Sequence, residues 1–374
     1  MIGKLAGVHY AKACCAGILT FWLLASCSPP PELIGIDNPE APAASVEQAK
    51  RHKVFIATTR QSSEMVGAFY SGQRAPELGL ASVTVSIPPS HVAGELRRPS
   101  RLPPDPRTEF AIVDPATFGS DEAFIASINR ELAKRPPKDR DILFFVHGFN
   151  NTASDALLRV GQFVEDTGFQ GVPVLFSWAS AGKTTRYVYD LNSALVARPK
   201  LIEAGELLAR TDANGFDIFA HSMGTLLTME AVLDQAQNGR LGSIGRLKAV
   251  VLAAPDIDVD LFQTQMAQIG EDRARFYVLL SQDDAALKVS RRLAGGVPRV
   301  GASDIEFLSQ FGVTAIDLSE IADSSSGSHS KYAGSPEVVQ LIGRGLANDP
   351  GYGHTSPTEL DEILGQAPIR VVFD

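Results

Sequence analysis

The chain has 374 residues, 44% of them hydrophobic and 21% charged, with a formal net charge of −9. That much apolar side chain can bury a large core, which excludes a disordered chain, and the acidic balance argues against binding nucleic acid by phosphate neutralisation. Cys14, Cys15 and Cys27 are the only cysteines, so a chain starting at Cys27 has no thiol pair for a disulfide and no cysteine cluster for a metal.

Residues 1–26 read as a lipoprotein signal peptide. Lys4 and Lys12 make a positive start, Ala13 to Leu24 is apolar, and Leu24-Ala25-Ser26-Cys27 places small residues before a cysteine. This is similar to the bacterial lipobox, in which cleavage precedes the cysteine and its thiol is acylated, so Cys27 is the expected lipidation site and the anchor to a membrane. An uncleaved anchor is the alternative, but the apolar stretch is short for a hydrocarbon core of about 30 Å. Cleavage removes two lysines and no acid, taking the charge to −11. Ser28 in the next position predicts an exported protein on the outer membrane, or on the periplasmic face, if the source has two membranes.

Residues 27–50, with Pro29, Pro30, Pro31, Pro39 and Pro42, read as a tether. Ser82 to Ile87 alternates apolar and polar residues, as a half-exposed antiparallel strand at one edge of a sheet does, and Pro88 ends it. Residues 89–107 are rich in Pro and Arg and read as a surface loop, packed plainly on the fold or covering a site. Strands follow near 142–146, 173–178, 216–220, 248–254, 275–281 and 312–318, with helical stretches between them. One carries Leu157, Leu158, Val160, Phe163 and Val164 after Thr152. Such alternation predicts an α/β fold whose mostly parallel sheet has helices on both faces. Ser356-Pro357-Thr358-Glu359 is a helix start with a capping box, Gly365 stops that helix, and Ile369 to Phe373 can add an edge strand.

Phe216 to Ala220 is a short apolar strand running into His221-Ser222-Met223-Gly224 and a helix-like stretch. A nucleophile elbow has this form, because its serine sits on a sharp strand-to-helix turn and the residues two before and two after must be small. Ala220 and Gly224 meet that demand, although Ala stands where G-x-S-x-G has Gly. A serine hydroxyl needs a base, and the base needs a carboxylate to fix its tautomer. In chain order an acid and then a histidine should follow. Asp283 and Asp284 end the strand near 275–281, and His329 follows the strand near 312–318. Asp284 lies 62 residues beyond Ser222, and His329 a further 45, room enough for βα units that return each group to one sheet edge. Asp256, after the strand near 248–254, is another candidate acid. The apolar run Ile142 to Val146 ends in His147-Gly148-Phe149. In this plan the backbone N–H groups of Phe149 and Met223 would form the oxyanion hole.

These pieces resemble the α/β-hydrolase fold and, more narrowly, bacterial lipoprotein hydrolases of the DUF900 family. The matching segments are Val54 to Arg60, Val85 to Pro88 with His91, Val146 to Asn150, Phe176 to Ser180 with Tyr187 and Asp190, Ala220 to Gly224, and Ser281 to Leu287. They span about residues 50 to 345. Ala179 stands where the family usually has Pro. The resemblance implies a serine hydrolase, names no substrate, and favours Asp284 over Asp283, since Ser281, Asp284 and Leu287 match the family's Ser-x-x-Asp-x-x-Leu pattern. With the strand alternation it gives an α/β-hydrolase domain over 51–347 with an antiparallel N-terminal edge, and the capping residues put a C-terminal helix and possible edge strand over 348–374. The reaction expected is cleavage of a small-molecule or lipid ester through an acyl-enzyme, with no cofactor. The rival classes are an acyltransferase and a catalytically silent envelope lipoprotein.

Other motifs point to less. Ser177 to Thr184 ends in Gly-Lys-Thr after a strand, like a phosphate-binding loop, but begins with Ser and contains Trp178. His221 on a tight elbow is expected to pack rather than catalyse. His91 and His354 have no metal-ligand spacing, so no metal site is expected.

Overall fold

The computed structural model describes residues 30–240, 246–270, 276–322, 328–347 and 369–372. The signal peptide, Cys27 and the helix expected near Ser356 lie outside them. The compact unit that starts at Glu32 is built on a ten-stranded sheet in the order β10-β9-β8-β7-β6-β4-β5-β1-β2-β3. The strands are β1 (Lys50–Ser62), β2 (Tyr70–Ile87), β3 (Ala111–Thr117), β4 (Ile142–Val146), β5 (Val172–Ser177), β6 (Phe216–His221), β7 (Leu247–Ala253), β8 (Phe276–Leu280), β9 (Thr314–Asp317) and β10 (Arg370–Val372). From β9 across to β1 the pairing is parallel. β2 and β3 add the antiparallel N-terminal edge, and β10 closes the other end antiparallel to β9.

The central strands are buried on both faces, which is why they read as unbroken apolar runs. Phe144, Phe176 and Val250 pack on one side of the sheet with α1 (Asp121–Ala133), α3 (Tyr187–Ala209), α4 (Met223–Gln237) and α5 (Val259–Ile269). Phe145, Phe219 and Val251 pack on the other with α2 (Ala153–Thr167), α8 (Lys331–Gly334) and α9 (Pro336–Ala347). Two shorter helices, α6 (Ala285–Leu293) and α7 (Ile305–Ser309), lie between β8 and β9 in the chain. The apolar stripe after Thr152 is α2, held by a reciprocal Thr152–Asp155 capping box and ended by Gly168 at φ 68°, a left-handed position glycine adopts without strain.

Two expectations change, and one alternative left open is resolved. Ser82–Ile87 is the end of a longer strand and is not half-exposed: Ser82, Val83, Val85, Ser86 and Ile87 are all buried. β3 pairs outside it, and Gly161 of α2 packs so close that a Cβ there would stand 2.4 Å from Val85 Cγ1. The proline-rich segment expected as a free tether over 27–50 is packed onto the domain from Leu33 on. Leu33 and Ile34 are core residues, the Leu33 N–H donates to Ser154 Oγ (3.0 Å), and burying two such side chains stabilises by about 2 kcal/mol each. Residues 89–107, for which a covering role was open, pack on α2. Asp166 there takes His91 Nε2 (2.5 Å) and the Gly94 N–H (2.9 Å), and Asp155 pairs with Arg98 (3.1 Å).

Candidate active site

Ser222 stands between β6 and α4 with φ 52° and ψ −126°, a region that costs a non-glycine residue on the order of 1–3 kcal/mol. The turn survives because its surroundings over-determine it. The Ser222 N–H donates to the Ala253 carbonyl (2.9 Å), and its own carbonyl accepts from the Thr225 hydroxyl (2.6 Å). A Cβ at position 224 would lie 2.4 Å from the His147 carbonyl oxygen, so the small residue expected there is a steric requirement. Ser222→Gly is therefore expected to raise the unfolding free energy by about 1 kcal/mol or more, read as a higher urea midpoint. An unchanged or lower midpoint would show that the turn is unstrained.

The strand ends bring the other expected groups to this edge. Gly148 packs against the elbow, where a Cβ would come within 2.8 Å of Ser222 Cβ. Phe149 follows it, and Met223 opens α4, where a backbone N–H has no acceptor within its own helix. Asp284, fully buried after β8, accepts from the Leu287 N–H (2.9 Å) as the N-cap of α6, and its other oxygen meets His329 Nδ1 at 2.7 Å. One carboxylate thus caps a helix and orients an imidazole. His221, next to Ser222 in the chain, packs on His329: its Nε2 is 3.1 Å from the His329 carbonyl oxygen, and the two rings are 4.8 Å apart.

The other two candidate acids are engaged elsewhere. Asp256 is buried against Arg299 (3.3 Å) and Ser290, and accepts from the Tyr187 hydroxyl (3.0 Å). Asp283 holds the Lys331 ammonium with both oxygens (2.9 and 3.0 Å) and accepts from the Ser328 hydroxyl (2.7 Å) and from Ser281. Burial works against its ionisation, but these donors outweigh it and hold the carboxyl at about 2. Asp283 therefore grips the chain on both sides of His329 without reaching the ring.

Arg60 and Asp190, which brace the loop after β4, and Lys331, which ties Asp283 to the Leu318 and Ser319 carbonyls, have roles the sequence did not disclose. The Arg60 guanidinium is buried and directs Nε to Ser177 Oγ (2.8 Å), one terminal nitrogen to the Ser180 and Ser71 carbonyls (2.8 and 3.3 Å), and the other to the Asn151 carbonyl (2.8 Å) and His147 Nε2 (3.3 Å). Burial lowers it only to about 10, so it stays charged at neutral pH. Asp190 accepts from the Asn150 N–H (3.3 Å), the Ala181 N–H (2.7 Å) and the Ser180 hydroxyl (2.5 Å). Together they hold the loop carrying Phe149, and Asp190 takes up an amide of the segment that imitates a phosphate loop. Trp178 there is buried and stacks on His147 (4.9 Å). The sequence signal for Arg60 and Asp190 was their place in the segments that match the family, which gave neither a role.

His147 and His221 are both buried and neutral. Burial and then the Arg60 charge push His147 down to about 3; burial and then His329 push His221 well below its ordinary value. His147 Nε2 lies between Arg60 (3.3 Å), which can only donate, and the Trp178 carbonyl (3.1 Å), which can only accept, while Nδ1 faces the Gly148 carbonyl (2.9 Å). Below about pH 6.5 the unfolded chain binds protons that these folded rings refuse, so stability falls as pH falls, by up to about 1.4 kcal/mol per unit for each ring. For His147 the loss runs down to about pH 3. Urea midpoints measured from pH 7 to 4 are expected to show that slope, reduced in His147→Phe; an equal slope in the variant would remove His147 as its source.

A family described as alpha/beta hydrolase of unknown function (DUF900) matches residues 120–345. No curated protein matches the chain. Among solved structures, lipase B of Aspergillus fumigatus is 15% identical over 61% of this chain and 57% of that one, with a TM-score of 0.38; this chain therefore spans little more than half of the lipase. An esterase of Pyrobaculum calidifontis is 13% identical over 57% of this chain and 78% of that one (TM-score 0.36). A fungal esterase of Rhizomucor miehei is 10% identical over 81% and 85% (TM-score 0.34).

Proposed function

The chain belongs to the alpha/beta hydrolase family of unknown function, and from that premise we propose that it is a serine hydrolase cleaving carboxylic esters through an acyl-enzyme. The observation that carries this reading is the 2.7 Å contact of the buried Asp284 carboxylate with His329 Nδ1, at the strand edge that holds Ser222 on its elbow. A carboxylate on Nδ1–H leaves Nε2 as the base. Ser222 Oγ attacks the ester carbonyl while His329 Nε2 takes its proton. The Phe149 and Met223 N–H groups stabilise the oxyanion, where losing one such donor costs about 3–4 kcal/mol. Collapse expels the alcohol with the proton from His329, and water repeats the sequence on the acyl-serine.

A fluorophosphonate reacts only with an activated serine. Mass spectrometry of the treated protein is expected to place one adduct on Ser222, absent from Ser222→Ala. Labelling that persists in the variant overturns the assignment, and a folded protein that takes no label is a silent member of the family.

A further inference from the structure

Beyond the hydrolase reading, and without resting on it, we propose that the face beside Ser222 docks on an anionic phospholipid bilayer. The Tyr187 hydroxyl, at the start of α3, meets Ser290 Oγ of α6 at 2.9 Å, so these two segments form one rim. That rim borders the site: the Phe149 and Tyr187 rings are 5.3 Å apart, and the Asp256 N–H, beside Tyr187, donates to the Ser222 carbonyl (3.4 Å). Lys183 and Arg186 precede Tyr187, and Lys288, Arg291 and Arg292 lie on α6, all exposed.

In a chain of net charge −9 this is a local reversal of sign. Among the described residues none of the five is ion-paired, and the nearby acids are committed. Asp256 is buried against Arg299, Asp258 caps α5, and Asp283 holds Lys331. Asp260, in the first turn of α5, is the exposed exception. Val188, Val289 and Leu293 stand among these cations with 67%, 53% and 63% of their surface exposed.

Cations interleaved with exposed apolar side chains suit a bilayer surface better than a soluble anion. The alkyl groups enter the headgroup boundary while ammonium and guanidinium groups meet phosphates. No helix among the described residues is long and apolar enough to cross a membrane, so the contact proposed is peripheral. It would present Ser222 to the surface from which a lipid ester is drawn.

The test uses the full chain carrying Cys27→Ser, so that no acyl group contributes, in co-sedimentation with vesicles of phosphatidylcholine alone or mixed with phosphatidylglycerol. Binding is expected on the anionic vesicles and to weaken with salt. At about fivefold in partitioning per basic residue, combining Lys183→Gln, Arg186→Gln, Lys288→Gln and Arg292→Gln should lower it a hundredfold or more, with thermal unfolding unchanged because all four side chains are exposed. Val289→Asn with Leu293→Asn should weaken it separately. Both variants keep the parent's N-terminal segment, so the difference reads the rim. Equal binding of the parent to both vesicle types, equal binding by the glutamine variant, or parent binding abolished by millimolar inorganic phosphate at constant ionic strength overturns the proposal, the last in favour of a soluble anion.

Discussion

Asp284→Asn is expected to lower kcat by about four orders of magnitude with little change in stability. The amide can donate to Nδ1, so the imidazole takes the tautomer with its proton on Nε2 and can no longer accept one from Ser222, an effect of about 10⁴ where an aspartate orients a catalytic histidine. The fold should tolerate the change, because Asp284 also caps α6 through the Leu287 N–H and asparagine caps as well as aspartate. Asp284→Ala would lose cap and orientation together and is the poorer probe. The contrast lies with the neighbouring acids. Asp256→Asn leaves Arg299 without its counter-charge and Asp283→Asn does the same to Lys331, so both should act mainly on stability. Steady-state kcat on a nitrophenyl ester, with urea unfolding of the same samples, separates the two effects. A severe kcat loss confined to Asp283→Asn or Asp256→Asn would move the orienting role away from Asp284.

Arg60→Leu should be among the most destabilising single changes in the chain. All three guanidinium nitrogens are engaged, with groups from four segments: Ser71 on β2, His147 and Asn151 after β4, Ser177 at the end of β5 and Ser180 beyond it. Leucine fills much of the volume but leaves these acceptors unmatched and the Asp190 charge uncompensated. Breaking a buried charge cluster from one side costs about 3–5 kcal/mol. Because the Asn151 carbonyl is released, the Phe149 loop should loosen too, and kcat should fall further than the fraction folded explains. Arg60→Lys keeps the charge but has three donors in place of a planar fork, so it should recover part of the stability and little of the loop geometry. Unfolding midpoints for the three proteins decide it: a loss under about 1 kcal/mol in Arg60→Leu would mean that Arg60 is not the staple its contacts describe.

Much of this arrangement was legible along the chain because it is local. The parallel strands announce themselves as apolar runs, since each is buried on both faces, and all six expected strands are present within about two residues. The elbow was readable from the small residues flanking Ser222, and α2 from its apolar stripe after Thr152, because both depend on neighbours a few positions away, whereas the Thr152–Asp155 capping box came only with the structure. The order of serine, acid and histidine followed from the alternation of strands and helices, which returns the chain to the same sheet edge after every crossover.

The family pattern favoured Asp284 over Asp283, but only the tertiary structure shows why it is the acid that meets His329. Asp283 and Asp284 are adjacent and share a composition, and they point apart because the second is the N-cap of α6 while the first turns toward Lys331. Nor could periodicity place β3 outside β2, or lay β1 parallel to β5, because strand pairing is a long-range choice that side-chain alternation does not encode. Arg60 is the clearest case. On its own an arginine reads as a surface residue, and it becomes an interior one here only because four distant segments aim their acceptors at the same point, a property of the assembled fold and of no stretch of sequence within it.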